Sequence, residues 1–226
     1  MPPAGICGDI MSTVSVGERP SISSSLRDAT AVAHERAERS DFIGDLMAGR
    51  LDAEAYRTLA AQLYFVYRAL EEVGDDLHAA DGARAVVAPI FDERLRRLPR
   101  LAADLDALGV DISTVEPLPA VARYVEAIDA TRNDPARYVA HHYTRYLGDL
   151  SGGQVIKSRM ISHYGIDKDS LTFYAFDGID KLKRYKDGYR DALDGLPIDD
   201  DAHRRLVDEA IRAFEYNEAL FAELAA

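Results

Sequence analysis

Three glycines inside a helical pattern constrain the fold of this chain more than any other feature. The pattern covers about residues 135–164 and contains Gly148, Gly152 and Gly153. Each glycine costs a helix roughly 1 kcal/mol relative to alanine, which a helix would not normally accept. Gly148 and Gly152 are four residues apart, so they lie on one face. A helix face without side chains lets something broad and flat approach the backbone, and Asp149 lies beside the gap. The sequence therefore predicts a bound planar ligand here.

Helical periodicity continues over nearly the whole chain after a short tail. Residues 1–22 are rich in Pro, Gly and Ser and lack periodicity, which predicts a disordered tail. We find no alternating strand pattern and no internal repeat, and the linkers are short. The chain is therefore predicted to be all-α, with a single domain over residues 23–226. Helices are predicted over residues 25–39, 41–48, 53–79, 83–108, 118–131, 135–164, 181–193 and 200–224, with Ser25 and Asp52 as N-terminal caps and with interruptions near Pro89 and Pro99.

The composition excludes several classes of partner. A net charge of −12 at pH 7 argues against nucleic acid, because phosphate binding needs a basic surface. No apolar stretch approaches the roughly 18 residues that cross a bilayer, and residues 1–20 lack the pattern of a secretory signal. The single cysteine, Cys7, excludes an intrachain disulfide and fits a reducing cytoplasm. We expect a cytoplasmic protein without membrane insertion, and a monomer for want of an exposed apolar seam.

One basic cluster departs from the acidic composition. It comprises Lys181, Lys183, Arg184, Lys186 and Arg190. Spacing alone favours a solvated helix face. However, Lys183, Lys186 and Arg190 lie at i, i+3 and i+7 on one face, which also fits a site for an anion. Both alternatives stay open on spacing.

A histidine in the first helix stands out among the six of the chain. His34 lies in an apolar stripe of small residues, which leaves space above its imidazole. Glu38 is one turn further on and can accept a hydrogen bond from the ring nitrogen that does not bind metal, as in many histidine–metal sites. A core histidine bonded to a neighbour is the commoner outcome of such a pattern, and either His141 or His142 could be an interior residue of that kind. Zinc needs three or four protein ligands, whereas a haem iron needs one axial imidazole, so His34 and the glycine face together fit a flat macrocycle.

These two motifs resemble those of the haem oxygenase family. The resemblance implies an all-α, single-domain, multi-helix bundle with haem sandwiched between a proximal helix and a kinked distal helix. It covers about residues 23–226. The stretches that carry it are residues 148–154, similar to the distal-helix motif, residues 26–38, similar to the proximal helix, and residues 64–72, 186–190 and 213–217.

The resemblance also implies roles for the matching residues. His34 would be the axial ligand of the haem iron, with Glu38 as the partner of its ring, and Asp149 would hold a water network beside bound oxygen. The chain has Arg27 where the family often has lysine, and the planar guanidinium binds carboxylate differently. The resemblance further implies that Gly148 and Gly152 approach the distal haem face and that Gly153 completes the kink. Tyr67 and Arg145 would extend the water network, and Phe214 and Asn217 would line the pocket. The residues that would contact the haem propionates are Lys186, Arg190, Tyr143 and Arg27.

The activity implied by the resemblance is that of a haem-degrading monooxygenase. Haem b would be both substrate and cofactor, cleaved at a meso carbon to biliverdin, carbon monoxide and ferrous iron with O2 and an external electron donor. The donor would be a ferredoxin, flavodoxin or reductase docked near the basic cluster. One alternative is a non-catalytic haem carrier or sensor of the same fold, which would gain nothing from a water-organising carboxylate such as Asp149. Another is a helical interaction protein without a cofactor.

Overall fold

The computed structural model describes residues 20–226, and their regular structure is entirely helical. The predicted all-α class is confirmed. All but the last three residues of the predicted tail lie outside the described range. The α-helices are α1 (Ile22–Glu38), α2 (Asp41–Met47), α3 (Ala53–Ala79), α4 (Asp81–Val87), α5 (Leu98–Ala107), α6 (Pro119–Asp129), α7 (Pro135–His142), α8 (Gly148–Tyr164), α9 (Leu182–Asp194) and α10 (Asp200–Leu224). Short 3-10 turns are Glu93–Leu95, Ile112–Thr114, Ala130–Asn133, Lys168–Ser170 and Thr172–Tyr174.

Helix ends follow side-chain capping, with one correction to the prediction. The carboxylate of Asp52 accepts a hydrogen bond from Ala55 N at 3.0 Å and caps α3, as predicted. The prediction of Ser25 as the cap of α1 was wrong, because the hydroxyl of Ser21 accepts from Ser24 N instead. Several neighbouring serines can all cap a helix, so local sequence did not distinguish among them.

The predicted helix over residues 83–108 is divided into three elements. It consists of α4, the 3-10 turn Glu93–Leu95 and α5. Pro99 lies in the first turn of α5. Proline's missing N–H costs nothing at that position, so Pro99 opens a helix rather than interrupting one.

The long helix α3 is the centre of the core. Val66, Tyr67, Leu70 and Val73 on it are fully buried, and α5 and α6 pack against it. The last helix, α10, packs against α1 and α7. Burying a large aliphatic or aromatic side chain stabilises the fold by about 1.5–3 kcal/mol. Because many such side chains of α3 and α10 are buried, these two helices form a rigid support for α1 and α8. None of the helices in the described range has the length and apolarity that a bilayer crossing requires.

A π-helical turn, Tyr143–Leu147, joins α7 to α8. The long helix predicted over residues 135–164 is therefore continuous but irregular. A π turn inserts an extra residue, which shifts the register of everything that follows and is common at functional sites. The irregularity begins before Gly148, so the π turn, rather than the glycines alone, determines which side chains of α8 face α1.

Candidate functional site

A cavity of about 290 Å³ lies between α1 and the segment that runs from the π turn into α8. Its volume is close to the lower end of the range for small-molecule sites. Side chains from α2, α3, α8 and α10 supply much of its apolar wall, including Ile43, Leu59, Leu63, Ile156 and Phe221. The two helices singled out from sequence therefore face one another across a mostly apolar space.

Most of the predicted site residues line this cavity. Those that do are His34, Glu38, Tyr143, Arg145, Gly148, Asp149, Gly152, Phe214 and Asn217. The others lie behind its wall or near its rim and are Tyr67, Gly153, Lys186, Arg190 and Arg27. The packing of α1, α8 and α10, together with the π turn, brings the first group together.

On the α1 side, the only imidazole that lines the cavity belongs to His34. Its Nδ1 lies 3.6 Å from Oε2 of Glu38, and the ring of Phe214 is 5.7 Å away between centroids. Because Nδ1 faces the carboxylate, Nε2 is the nitrogen left to bind a ligand. In residues 20–226 there is no cluster of three or more His, Cys, Asp or Glu that could hold a metal ion. A metal bound at His34 must therefore bring most of its ligands with it, as the iron of haem does.

The glycines of α8 divide into two kinds. A Cβ added to Gly148 or Gly152 would meet nothing within 4 Å, so their missing side chains open onto the cavity. A Cβ on Gly153 would instead lie 3.0 Å from Cδ1 of Tyr174. Gly153 is buried and does not line the cavity. Two of the three glycines therefore leave room for a flat ligand, and the third lets an aromatic ring pack against the helix.

A hydrogen-bond network stands behind the glycine face. Tyr67 on α3 donates a short hydrogen bond to the carboxylate of Asp149. The hydroxyl of Tyr67 in turn accepts from Arg145 at 3.0 and 3.2 Å. Arg145 Nη1 also donates to Asn217 Oδ1 on α10 at 2.7 Å. Residues predicted separately from three regions of the sequence thus form one continuous network.

Burial controls the protonation of this network. It raises the pKa of Asp149, against the opposing effects of the Arg145 charge and the hydrogen bond from Tyr67. Burial also raises the pKa of Tyr67 well above its usual value, and the nearby Asp149 charge adds to the increase while Arg145 opposes it. Tyr67 therefore stays a proton donor, and Asp149 takes up a proton more readily than an exposed aspartate does.

Two buried hydroxyls near the network have no hydrogen-bond partner among the described residues. They are Oγ1 of Thr144, which lines the cavity, and Oη of Tyr124 on α6. Burial raises the pKa of Tyr124 to about 12, so it stays protonated. Buried polar groups are generally completed by ordered water or by a ligand. The hydroxyl of Thr144, which lines the same cavity as Asp149, fits a site that holds water there, whereas Tyr124 lies outside the cavity lining, close to Asn217.

An aromatic pair in the wall was missed from sequence. Phe173 and Tyr174 line the cavity from a 3-10 turn. Phe173 makes an edge-to-face contact with Tyr67 at 5.2 Å, and the carbonyl of Tyr174 accepts from Gln154 Nε2 at 2.7 Å. A three-residue turn has no periodicity to detect, and adjacent aromatics in a loop were the only available signal.

The predicted cationic residues lie at the rim. Lys186 Nζ donates to Ser151 Oγ at 3.2 Å, which places it beside the α8 wall. The charges of Arg190 and Arg27 lower the pKa of Tyr143, although burial has the larger effect and raises it. Both guanidinium groups therefore lie near the one phenol at this edge of the cavity. Arg190 pairs with Asp187 at 3.0 Å and Arg27 pairs with Asp28 at 2.9 Å, with side-chain exposures of 42% and 72%. An anionic group projecting from the cavity would compete with these surface ion pairs.

The histidines before the π turn are interior residues, which the sequence had left as one possibility. His141 Nε2 lies 3.0 Å from a carboxylate oxygen of Glu209. His142 Nδ1 lies 2.8 Å from the hydroxyl of Tyr189. Neither lines the cavity, so His34 has no competitor as a ligand there.

Comparison with known proteins agrees with this geometry. The family model described as "Heme oxygenase" matches residues 20–223. Among curated relatives, a haem oxygenase of Porphyra purpurea is 39% identical over 208 residues, which is 90% of this chain and 86% of that one. A haem oxygenase of Guillardia theta is 36% identical over 203 residues, 88% and 84% of the two chains.

Solved structures give the same result. Haem oxygenase-1 from the cyanobacterium Synechocystis, in complex with haem, superposes with a TM-score of 0.84 at 35% identity, over 91% of this chain and 92% of that one. A haem oxygenase from Leptospira interrogans also has a TM-score of 0.84, at 31% identity, over 90% and 100% of the chains. Similarity therefore extends over the fold and over the sequence that builds the cavity.

Proposed function

The chain belongs to the haem oxygenase family, and from that premise we propose that the cavity between α1 and α8 is where it binds and cleaves haem b. Haem supplies the iron that activates O2 and is itself the substrate, opened at a meso carbon to biliverdin, carbon monoxide and ferrous iron. The observation that carries the proposal is the position of His34, which shares one cavity with the open faces of Gly148 and Gly152.

His34 would hold the iron through Nε2, the ring nitrogen that does not face Glu38. Nδ1 and Oε2 of Glu38 are 3.6 Å apart, which is too long for a direct hydrogen bond, so a water molecule would join them. That contact keeps the proton on Nδ1 and leaves the lone pair of Nε2 for the metal. A neutral imidazole also donates less electron density to iron than a thiolate does, which disfavours the P450 type of chemistry.

Gly148 and Gly152 place backbone rather than side chains against the opposite face of the ring. The ionisable side chains on this side of the cavity are Asp149 and Arg145, which are tied to Tyr67 by hydrogen bonds, so a bound ring would meet glycine backbone at Gly148 and Gly152. Ordered water can enter this side of the cavity, and the unpartnered hydroxyl of Thr144 offers such water a hydrogen bond. The glycine backbone limits the directions in which a small ligand can lie, which favours one edge of the ring.

Asp149 positions that water and passes protons to it. Because Tyr67 donates to the carboxylate and Arg145 donates to Tyr67, the carboxylate is held in one orientation. Burial raises the pKa of Asp149, which brings its proton affinity closer to that needed near neutral pH. Water that relays a proton from Asp149 is a weaker acid than a side-chain acid in contact with the iron would be. Weaker proton donation would favour attack on the porphyrin ring.

Lys186, Arg190, Arg27 and Tyr143 hold the two propionates of haem. Their positions at one edge of the cavity support this role, since propionates are the only charged groups of the ligand. Arginine binds carboxylate through two parallel N–H groups, so Arg190 and Arg27 fix rotation about the iron as well as position. That rotation selects the meso carbon that is presented for cleavage.

The external electron donor is a redox protein such as a ferredoxin, flavodoxin or reductase. The basic residues of α9 offer it a docking surface, since acidic partners are attracted to local positive charge. We also propose that the protein acts as a monomer in the cytoplasm. Large hydrophobic side chains exposed in residues 20–226 are limited to Val32, Val155 and Ile161, which are too few for an obligate interface.

Replacement of His34 by alanine tests the observation on which the proposed function rests, the position of this imidazole in the cavity. We expect the variant to lose the absorption spectrum of a six-coordinate, imidazole-bound haem and at least tenfold in haem affinity. His163→Ala is the matched control, because that imidazole is exposed and does not line the cavity. Axial coordination unchanged in His34→Ala would refute the assignment. Single-turnover reaction of the haem-loaded wild type, with biliverdin isomers resolved, separates an oxygenase from a haem carrier.

A further inference from the structure

A second cavity, larger than the haem site, opens beside α9. Its volume is about 640 Å³, inside the range of small-molecule sites. None of its lining residues also lines the haem cavity. We call it the α9 pocket, defined by Ile90, Phe91, Ile179, Arg184, Tyr185 and Gly188. Its residues have no role in the haem binding proposed above, although Lys181 and Arg184 at its rim also belong to the basic surface proposed for the electron donor.

The α9 pocket has an aliphatic floor and walls in which aromatic and charged side chains alternate. Ile90 and Ile179 are buried beneath it, and the partly exposed rings of Phe91 and Tyr185 contribute to its sides. Phe91 stacks on His78 at 4.1 Å between centroids, and the Arg94 guanidinium lies 5.3 Å from the centre of the Tyr185 ring. An aromatic ligand would extend this group of stacked rings and cations.

The wall formed by α9 contains a glycine that packing does not explain. Gly188 lies in the interior of a 13-residue helix, where glycine weakens helical structure. A Cβ at this position would meet nothing within 4 Å. The missing side chain therefore enlarges the pocket and does not accommodate a neighbouring element. Gly148 and Gly152 show the same combination at the haem cavity.

The rim of the α9 pocket carries unbalanced positive charge. Lys181 and Arg184 make no ion pair within the described part of the chain, whereas Arg94 is paired with Asp92. Asp180 also lines the pocket, which leaves a net charge of about +1 in a chain of −12. No acidic residue lies in the first turn of α9 to neutralise the two cations.

We propose that the α9 pocket binds a planar aromatic molecule that carries an anionic group. The ring lies against Phe91, Tyr185 and the open face at Gly188, and the anion is held by Lys181 and Arg184. Charge complementarity and the flat walls together define this ligand class. Carboxylate and phosphate share the required chemistry, so both are included in the test. The proposal does not depend on the haem reaction, since the two cavities share no residue.

The test titrates the haem-loaded protein, so that the haem site is already filled. Flavin mononucleotide is the phosphate-bearing probe, followed by quenching of its fluorescence, and riboflavin is the same ring without the phosphate. Biliverdin is the carboxylate-bearing probe, measured by displacement of the flavin. We expect saturable binding of flavin mononucleotide, riboflavin binding at least tenfold weaker, and displacement by biliverdin if carboxylate serves as well as phosphate. If biliverdin does not displace flavin mononucleotide, the pocket requires a phosphate, and its ligands are then limited to aromatic molecules that carry phosphate.

Substitutions locate the binding. Gly188→Leu fills the pocket, and leucine has a higher helix propensity than glycine, so the helix is retained. We expect it to reduce flavin binding at least tenfold, as does Lys181→Gln combined with Arg184→Gln. Lys183→Gln is the matched control, because that lysine does not line the pocket and pairs with Asp187. Haem titration of each variant checks that it is folded.

Two results would overturn the proposal. One is the absence of saturable binding of either anionic probe up to about 1 mM, which corresponds to a binding free energy near −4 kcal/mol. The other is binding that persists unchanged in Gly188→Leu and in the double variant, because the probe would then bind elsewhere.

Discussion

At the scale of single residues, neighbouring glycines in α8 serve different purposes. The absent side chain of Gly152 contributes open space to the haem cavity, whereas that of Gly153 makes room for the ring of Tyr174. Sequence treats the two positions alike, because both break the same helical pattern. The difference lies entirely in what packs against each face.

Alanine substitutions separate these purposes. Gly152→Ala should raise the free energy of unfolding by up to about 1 kcal/mol through helix propensity while weakening haem binding, because its methyl group enters the cavity. Gly153→Ala should instead destabilise by about 1–3 kcal/mol through overpacking against Tyr174. Gly44→Ala is the control, since that helical glycine is open and does not line the haem cavity. Denaturant unfolding of haem-free protein and haem titration measure both effects. Equal responses at positions 152 and 153 would contradict this division.

Asp149 can be tested without changing its shape. Asp149→Asn keeps the size of the side chain but removes the charge that orients water and accepts from Tyr67. We expect haem binding to persist and biliverdin yield per turnover to fall by about 10²-fold or more, the usual size of a general acid–base contribution. Asp177→Asn, an exposed aspartate outside the cavity, is the control. Normal yield from Asp149→Asn would remove it from the proton route.

At the scale of elements, one contact joins the helix that carries His34 to the helix that carries Lys186 and Arg190. The carboxylate of Asp194, at the end of α9, accepts from Ser23 N at 2.7 Å and from Ser23 Oγ at 2.9 Å. A carboxylate at the first turn of α1 satisfies a free N–H and interacts favourably with the helix dipole. His34, the proposed iron ligand, and Lys186 and Arg190, the proposed propionate contacts, are therefore held in a defined relation by a residue outside the cavity.

Asp194→Asn should weaken the contact between α9 and the first turn of α1. We expect a loss of about 0.5–2 kcal/mol of stability, the usual cost of a lost N-terminal cap, and a severalfold weaker affinity for haem. Asp191→Asn on the same helix is the control, because no ion pair or hydrogen bond of its side chain is present in the described structure. Stability lost without any change in haem affinity would show that the contact supports only the fold.

At the scale of the whole molecule, Glu209 ties α10 to α7. Its carboxylate accepts from Arg137 at 2.8 Å and lies 3.0 Å from His141 Nε2. Burial alone would raise the pKa of Glu209, but the hydrogen bonds from His141 and Arg137 outweigh it and lower the pKa to about 2. Because α10 also packs against α1, this buried pairing supports the wall of the haem cavity from behind.

The lowered pKa makes the contribution of Glu209 dependent on pH. A carboxylate with a depressed pKa stabilises the folded state above its unfolded pKa, and the contribution is lost as pH falls towards the folded value. Glu209→Gln should thus cost about 1.5–3 kcal/mol at pH 7, and the difference from wild type should shrink between about pH 4.5 and pH 2. Glu215→Gln, exposed on the same helix, is the control. Urea unfolding at several pH values measures the effect, and a cost that is independent of pH would contradict the assignment.

The sequence by itself determined what depends on spacing within one helix. The helical period places Gly148 beside Gly152, and Glu38 one turn beyond His34, because 3.6 residues per turn fix such neighbours in any α-helix. The all-α class follows from the same period, and the resemblance to a family added the roles of these residues. The one regular helix predicted over residues 135–164 was correct in extent only, since a π turn depends on side-chain packing as well as on local propensity.

Only the tertiary structure decided which helices meet. Tyr67 and Asp149 are 82 positions apart in the chain and share a hydrogen bond, and Arg145 reaches Asn217 across 72. The same packing places Tyr174 against Gly153 and leaves Arg27 at the rim. Local patterns specify which face of a helix is apolar but not its partner, because the partner follows from how all the apolar faces are buried together. The haem cavity and the α9 pocket both result from that collective burial.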